Sequence, residues 1–451
     1  MKKLLFAGLL GLTLSITTSF SADQSYMIEK PSFTLNKRAY FKKNIQPTLH
    51  TLDFQYKTCA VKKLEDEHEV YPNALDMMRR AKKTILFNMY LFGGKIGNDV
   101  IELAKQKMDE GVSVYFVLSK TRQSFEKAEA ATNKSLKLLA DAEERGEPIQ
   151  KPPYMQTISK AKELGIPVVH ADYWFIDANV PVRIDHDKLI IIDGTEAMIG
   201  GMNFATTTAK NRDAMVHIVG PMVEELEKAF VNNWLMGYGK PMDDMMQYDE
   251  ATAISAMDEY AQKENYSIND GRVTLTSAYT KNTRTDLTKM FEEAQESIVI
   301  EQLLLNDTDI LEVLAKAALR GVKIRLLLDP AEHLYYRDWH GGPNNKAVAV
   351  FEELKKRHPE LDIAWRHYKV GPGQELHMKM SIVDGKILGI GSTNFTSGAF
   401  NSNFEMFGFF KGQIVDDFIA MFEEDWENHS KPAPHVGFGR KVISWFSDRI
   451  F

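Results

Sequence analysis

The chain has 451 residues, 44% of them hydrophobic and 26% charged, with a formal net charge of −7. That balance excludes a disordered, collagen-like or polytopic membrane protein, and the acidic charge supplies no overall basic field for nucleic acid. A single cysteine, Cys59, excludes an intrachain disulfide and a cysteine-built zinc site.

In chain order, basic Met1-Lys2-Lys3, the apolar run Leu4 to Thr17 and the small residues Ser19-Phe20-Ser21 have the three-part pattern of a secretory signal, with cleavage expected after Ser21. The run is shorter than the roughly 20 apolar residues of a membrane span, so an exported protein, periplasmic or secreted, is expected over a retained anchor. Residues 22–55 read as an N-terminal extension that wraps the domain after it.

From residue 56 the sequence is duplicated. Ala81-Lys82-Lys83-Thr84-Ile85 and the following Leu86-Phe87-Asn88-Met89-Tyr90 recur as Ala294-Gln295-Glu296-Ser297-Ile298 and Val299-Ile300-Glu301-Gln302-Leu303. Each predicts a helix leading into a buried strand. Glu110-Gly111-Val112 recurs as Arg320-Gly321-Val322, where a helix ends at Gly and a strand begins, over Val114 to Leu118 and Ile324 to Leu328. The first half carries 19 more positions between Gly111 and its motif, within the Ala/Lys/Glu-rich Thr121–Pro153, read as a solvated surface helix. Both halves close on Phe-x-x-x-Trp (Phe230 and Trp234, Phe422 and Trp426), an i, i+4 aromatic pair suited to core packing. Alternating helices and strands argue for an α/β fold with halves at 56–236 and 270–430. An acidic, Met-rich and partly helical linker spans 237–269, and a tail spans 431–451.

One constellation repeats in register. His186, Lys188, Asp193-Gly194, Gly200-Gly201 and Asn203 match His377, Lys379, Asp384-Gly385, Gly391-Ser392 and Asn394. His-to-Lys is two residues, His-to-Asp seven and His-to-Asn 17 in both copies. Apolar runs flanking Asp-Gly predict two hairpins. Positions i and i+2 of a strand share a face, so each His and Lys project together. Asp193 and Asp384 complete the motif but fall at the hairpin turns, where a structural role is favoured. The Gly-Gly and Gly-Ser pairs are expected to let backbone approach a ligand, with Asn203 and Asn394 as amide donors. Each half thus offers an imidazole, an ammonium and an amide: an anion-binding, proton-transferring set. No metal-ligand spacing appears among the remaining histidines, so no metal or cofactor is expected.

This doubled pattern resembles the phospholipase D superfamily, over residues about 60 to about 430. The resemblance implies two α/β halves about a pseudo-twofold axis sharing one active site. It implies that one histidine attacks phosphorus to form a phosphohistidine, assigned to His186, while the other protonates the leaving alcohol and then activates the acceptor. Lys188, Lys379, Asn203 and Asn394 would neutralise charge on the phosphoryl oxygens. The family also places a carboxylate after each motif to orient its histidine. These would be Asp213, 27 residues after His186 and shorter than the usual Glu, and Glu405, 28 residues after His377.

The motif implies a reaction type and leaves the substrate open. Both motifs fused in one chain (hence a monomer), the acidic charge, and aromatic clusters at Tyr173-Trp174-Phe175 and at Tyr335-Tyr336 with Trp339 favour a glycerophospholipid at a membrane surface over nucleic acid. The tail from Arg440 to Phe451 reads as an amphipathic basic helix for anionic headgroups or for the protein's own surface. The leading expectation is phospholipid hydrolysis, with water as acceptor. Transfer of the phosphatidyl group to an alcohol, as in a cardiolipin synthase, comes second; an exported nuclease and a non-catalytic lipid-binding protein follow.

Overall fold

The first half runs β1 (Lys57–Glu65), α1 (Asp66–Arg80), β2 (Thr84–Met89), β3 (Phe92–Gly93), α2 (Gly94–Asp109), β4 (Ser113–Leu118), α3 (Pro153–Glu163), β5 (Val168–Val169), β6 (Lys188–Ile192), β7 (Glu196–Gly200), β8 (Phe204–Ala205), β9 (Ala214–Val219) and α4 (Val223–Met236). After α5 (Glu250–Tyr260) the second half runs β10 (Ser267–Thr276), α6 (Asn282–Glu293), β11 (Ser297–Gln302), α7 (Thr308–Leu319), β12 (Lys323–Leu328), α8 (Asn345–Arg357), β13 (Ile363–Tyr368), β14 (Lys379–Val383), β15 (Ile387–Gly391), α9 (Ser397–Asn401), β16 (Glu405–Gly412), α10 (Ile414–Asn428) and β17 (Ser430–Pro432). This computed structural model describes residues 26–27, 48–119, 153–171, 184–330 and 342–437. The expected signal, most of the extension and of the 121–153 insert, both aromatic clusters and the basic tail lie outside the described residues.

Fifteen strands form one sheet in the order β17-β13-β12-β11-β14-β15-β16-β10-β1-β9-β7-β6-β2-β4-β5. Its centre is the antiparallel pair β1–β10, with Lys57 opposite Gly271 and Val61 opposite Ser267. Outward from that seam, β10, β16, β15, β14, β11, β12 and β13 repeat the order of β1, β9, β7, β6, β2, β4 and β5. The α/β halves are therefore related by a pseudo-twofold axis through the seam. Every residue of β2, β6 and β14 is buried, because helices cover both faces of the sheet.

On one face each half has its own core: Phe87, Val100 and Phe116 under α1 and α2, and Phe291, Leu314 and Phe351 under α6 to α8. On the other face a single core runs across both halves, containing Phe230 and Trp234 of α4 with Phe422 and Trp426 of α10. The paired Phe-x-x-x-Trp motifs are thus core, the second with ring centroids 5.6 Å apart. The repeated glycines also act as expected. Gly111 and Gly321 adopt φ of 92° and 96°, ending α2 and α7 while Val112 and Val322 donate back to the carbonyls of Lys107 and Ala317. Residues 237–269 hold α5 and the first residues of β10. The buried Glu227 carboxylate anchors them by accepting from the amides of Gln247 and Tyr248, at 2.9 and 3.0 Å.

Candidate active site

His186 and His377 each stand two residues before a motif strand, and each is held there by the other half. The His186 amide donates to the Phe404 carbonyl (3.0 Å) and the His377 amide to the Arg212 carbonyl (2.8 Å). Two matching parallel bridges, Asp185–Phe404 and Arg212–Leu376, frame these bonds. The pseudo-twofold therefore brings both imidazoles to the junction of the halves.

The orienting carboxylates are exchanged relative to the sequence expectation. Glu405, expected at His377, places Oε2 2.9 Å from Nδ1 of His186. Asp213, expected at His186, places Oδ2 2.6 Å from Nδ1 of His377. The reason is topological: β9 and β16 flank the seam, so Asp213, just before β9, and Glu405, at the start of β16, each meet the motif of the opposite half. Both carboxylates are buried and further held. Glu405 accepts from Ser392 Oγ at 2.6 Å and Asn403 Nδ2 at 3.0 Å, and Asp213 from the Ala214 amide at 2.9 Å. With each Nδ1–H donated to a carboxylate, each Nε2 keeps its lone pair.

The lysines lie beside the histidines, as the i, i+2 spacing predicts. Lys188 Nζ donates to the His186 carbonyl at 2.6 Å. Lys379 Nζ donates to the His377 carbonyl and stands 3.0 Å from His377 Nδ1. Asn203 is buried, its Oδ1 accepting from the Leu91 amide at 3.1 Å, while its Nδ2 has no partner among the described residues. Asn394 Oδ1 is likewise buried and unpartnered there.

Asp193 and Asp384 are not in the site. Seven residues of extended chain put them about 23 Å from their histidines. Both sit in Asp-Gly turns with φ of 53°, followed by Gly194 at 67° and Gly385 at 62°. Asp193 accepts from the amides of Lys82, Lys83 and Thr84, at 2.7 to 2.8 Å. Asp384 accepts from those of Gln295, Glu296 and Ser297, the shortest at 2.7 Å. They staple the turn to the start of the neighbouring strand, in keeping with the structural role favoured for them from the sequence.

The glycine pairs also serve another purpose than close approach to a ligand. A Cβ on Gly200 would lie 2.4 Å from the Ala214 carbonyl, and one on Gly391 2.2 Å from that of Met406. On Gly201 it would lie 2.3 Å from Oδ1 of Asp213. These positions make room for the neighbouring strand and its orienting carboxylate.

Burial, with Lys188 and Lys379 near it, holds His186 well below the usual imidazole range; burial and Lys379 take His377 down to about 4. Burial lowers Lys188 to about 7 and Lys379 to about 8. It also pushes Glu405 up to about 7, against the pull of Lys188 and its hydrogen-bond donors. Near neutral pH both imidazoles are thus uncharged, one able to attack an electrophile and the other to exchange a proton. Among the described residues no group of three or more His, Cys, Asp or Glu is arranged to hold a metal.

Several participants escaped the sequence reading. The chain neighbours of His186 point to the opposite face of the sheet, where Asp185 accepts from Asn88 Nδ2 (2.8 Å) and Asp187 from Asn233 Nδ2 (2.7 Å). In the second half the places of Asn88 and Asn233 hold Glu301 and Asp425, and the cation Arg212 donates to Asp425 (2.8 Å) and Asp66 (2.9 Å). Tyr90 packs its ring edge-to-face on His186, with centroids 4.6 Å apart. Aligning the repeats beyond the motif pairs Asn88 with Glu301, Asn233 with Asp425 and Tyr90 with Leu303, and these mismatches are the signal that was there to be read.

The family described as "Cardiolipin synthase, PLD-like domain" matches residues 74–234 and 287–426, the two halves. A probable cardiolipin synthase of Bacillus subtilis is 23% identical over 398 residues, covering 85% of this chain and 69% of the relative. Cardiolipin synthase 2 of Bacillus cereus is 25% identical over 414 residues, covering 88% and 70%. Phosphatidylserine synthase of Haemophilus influenzae shares the fold, with a TM-score of 0.60 at 12% identity over 93% of this chain and 97% of that one. No helix among the described residues is long and apolar enough to cross a membrane.

Proposed function

The chain belongs to the cardiolipin synthase family of phospholipase D-like proteins, and from that premise we propose that it transfers phosphatidyl groups to an alcohol by double displacement, as a cardiolipin synthase-type enzyme. The observation that carries this reading is the pair of histidine–carboxylate contacts made across the pseudo-twofold, each with a lysine beside it. The family relatives put transfer ahead of the hydrolysis that the sequence expectation placed first.

In this reading His186 Nε2 attacks phosphorus. The P–N bond forms as the bond to the leaving alcohol oxygen breaks, and His377, which takes up a proton from solvent at Nε2 as the phosphodiester anion enters, gives that oxygen its proton. The acceptor hydroxyl then passes its proton to His377 and attacks phosphorus, breaking the P–N bond. Lys188, Lys379 and the unpartnered amide of Asn203 balance the charge on the non-bridging oxygens. Glu405 and Asp213 keep each imidazole in the tautomer with its lone pair on Nε2.

The test is product analysis. Full-length protein, with His186→Ala as control, is incubated with phosphatidylglycerol vesicles and the lipids are read by mass spectrometry. Cardiolipin with free glycerol, absent in the control, is expected. Phosphatidic acid alone would make the protein a phospholipase D. Unchanged lipid would remove the lipid reading, and labelled DNA would be the next substrate.

A further inference from the structure

We propose that Tyr90 is a positioning residue of this site, holding the His186 imidazole and the Lys188 ammonium with its ring, a device the second half lacks. The inference rests on the function proposed above for its kinetic consequences but not for its geometry.

Tyr90 follows β2, whose Met89 lies opposite Lys188 at the start of β6. The segment carrying it is fixed by the site itself: the Leu91 amide donates to Asn203 Oδ1 (3.1 Å), and the Leu91 carbonyl accepts from the Phe204 amide (3.0 Å). The half-buried ring meets the His186 ring at 63°, and its centroid lies 5.0 Å from Lys188 Nζ, within cation–π range.

The pseudo-equivalent residue is Leu303, buried and aliphatic, its amide donating to the Met378 carbonyl at 2.9 Å. There the ammonium of Lys379 is held by the His377 carbonyl, beside an aliphatic side chain where the first half has the Tyr90 ring. The two halves therefore steady lysine and histidine differently. Charged groups acting on Lys188 are Glu405, Asp213 and Asp187, which favour its charged form, and Lys379, which opposes it. The face of the Tyr90 ring adds attraction to that ammonium without adding an ion. Its contact restricts the His186 ring, which is also held at Nδ1 by Glu405 and by a hydrogen bond with the Ser392 backbone. Removing the ring should therefore let Lys188 lose its proton at lower pH and let the imidazole turn away from phosphorus.

Tyr90→Leu, which installs the residue type of position 303, and Tyr90→Phe, which keeps the ring, are compared in the full chain. The first readout needs no substrate: nitrogen NMR titration of the Lys188 ammonium, assigned with Lys188→Met. The second is steady-state turnover of short-chain phosphatidylglycerol. In Tyr90→Leu the Lys188 midpoint should fall by about half a pH unit. Its kcat should fall about tenfold with little change in KM, and the alkaline limb of kcat should move down with Lys188. Tyr90→Phe should recover most of the loss. The inference is overturned if Tyr90→Leu titrates like the parent, if kcat falls with Lys188 unmoved, or if Tyr90→Phe fails as badly as Tyr90→Leu, which would make the hydroxyl the active part. If the parent turns over no lipid while the Lys188 midpoint still moves in Tyr90→Leu, the transferase reading falls and the role of the ring stands.

Discussion

Oδ2 of Asp213 lies 2.6 Å from Nδ1 of His377, a histidine that belongs to the other half of the molecule. Glu405 repeats the relation with His186 in the opposite direction. Neither half alone therefore holds an oriented imidazole, and the duplicated chain works as one site because its halves exchange carboxylates. Asp213→Asn should act through His377. We expect kcat to drop by about a hundredfold or more, by analogy with the tautomer loss seen when a buried aspartate is removed from a histidine. Ring NMR signals of His377 should move much more than those of His186, which feels Asp213 only through its charge. Movement confined to His186 would refute the exchange.

The site's titration predicts a narrow activity window. Raising the pH through about 7 and then about 8 discharges Lys188 and Lys379, the cations that meet the phosphodiester in the proposed reaction. Lowering it through about 7 protonates Glu405 and deprives His186 Nδ1–H of its acceptor. For the free enzyme, kcat/KM should therefore fall on both sides of a maximum near pH 7, with limbs belonging to the coupled set and not to single residues. Hydrolysis of bis(4-nitrophenyl) phosphate from about pH 5 to about pH 10 reads this directly. A profile still level at the alkaline end would show that the lysines keep their charge.

Asp193 and Asp384 are predicted to matter for stability and not for chemistry. Each carboxylate satisfies three backbone amides at a turn, so Asp193→Ala or Asp384→Ala should cost about 1–3 kcal/mol. Asn at either position tolerates the left-handed backbone and should cost less. Denaturant midpoints should shift while turnover per folded molecule stays within about threefold. A loss of kcat at unchanged stability would return these residues to the catalytic set.

What could be read from the sequence was what is local or periodic. The buried strands, the helix-ending Gly111 and Gly321, the two Asp-Gly hairpins and the His-x-Lys pairing all follow from patterns a few residues long, and the duplication places them twice. The exchange of Asp213 and Glu405 could not be read that way. Each carboxylate follows its own half's histidine at nearly the same spacing, and only the seating of β1 against β10 decides which imidazole it meets. Arg212 and Asn233 were hidden for a related reason: their partners come from elements far along the chain. Tyr90 looked like the end of a core strand, and its meaning lies in its difference from Leu303.

The exchanged pairs differ in one further detail, which predicts a coupling. Asp213 is matched by Gly201, where a Cβ would sit 2.3 Å from its Oδ1, whereas Glu405 is matched by Ser392, whose hydroxyl donates to it at 2.6 Å. A shorter carboxylate leaves no room for a side chain at the strand end, and a longer one is steadied by a hydroxyl there. Gly201→Ser alone should push Asp213 off His377, and Asp213→Glu alone should overreach it, each lowering kcat by about tenfold or more. The double variant Gly201→Ser with Asp213→Glu copies the arrangement of the second half. It should be more active than either single variant, with an interaction energy of about 1 kcal/mol or more in the favourable direction. Turnover of the four proteins measured side by side gives the cycle. Simple additivity of the two losses would mean that residue 201 and its carboxylate are not matched.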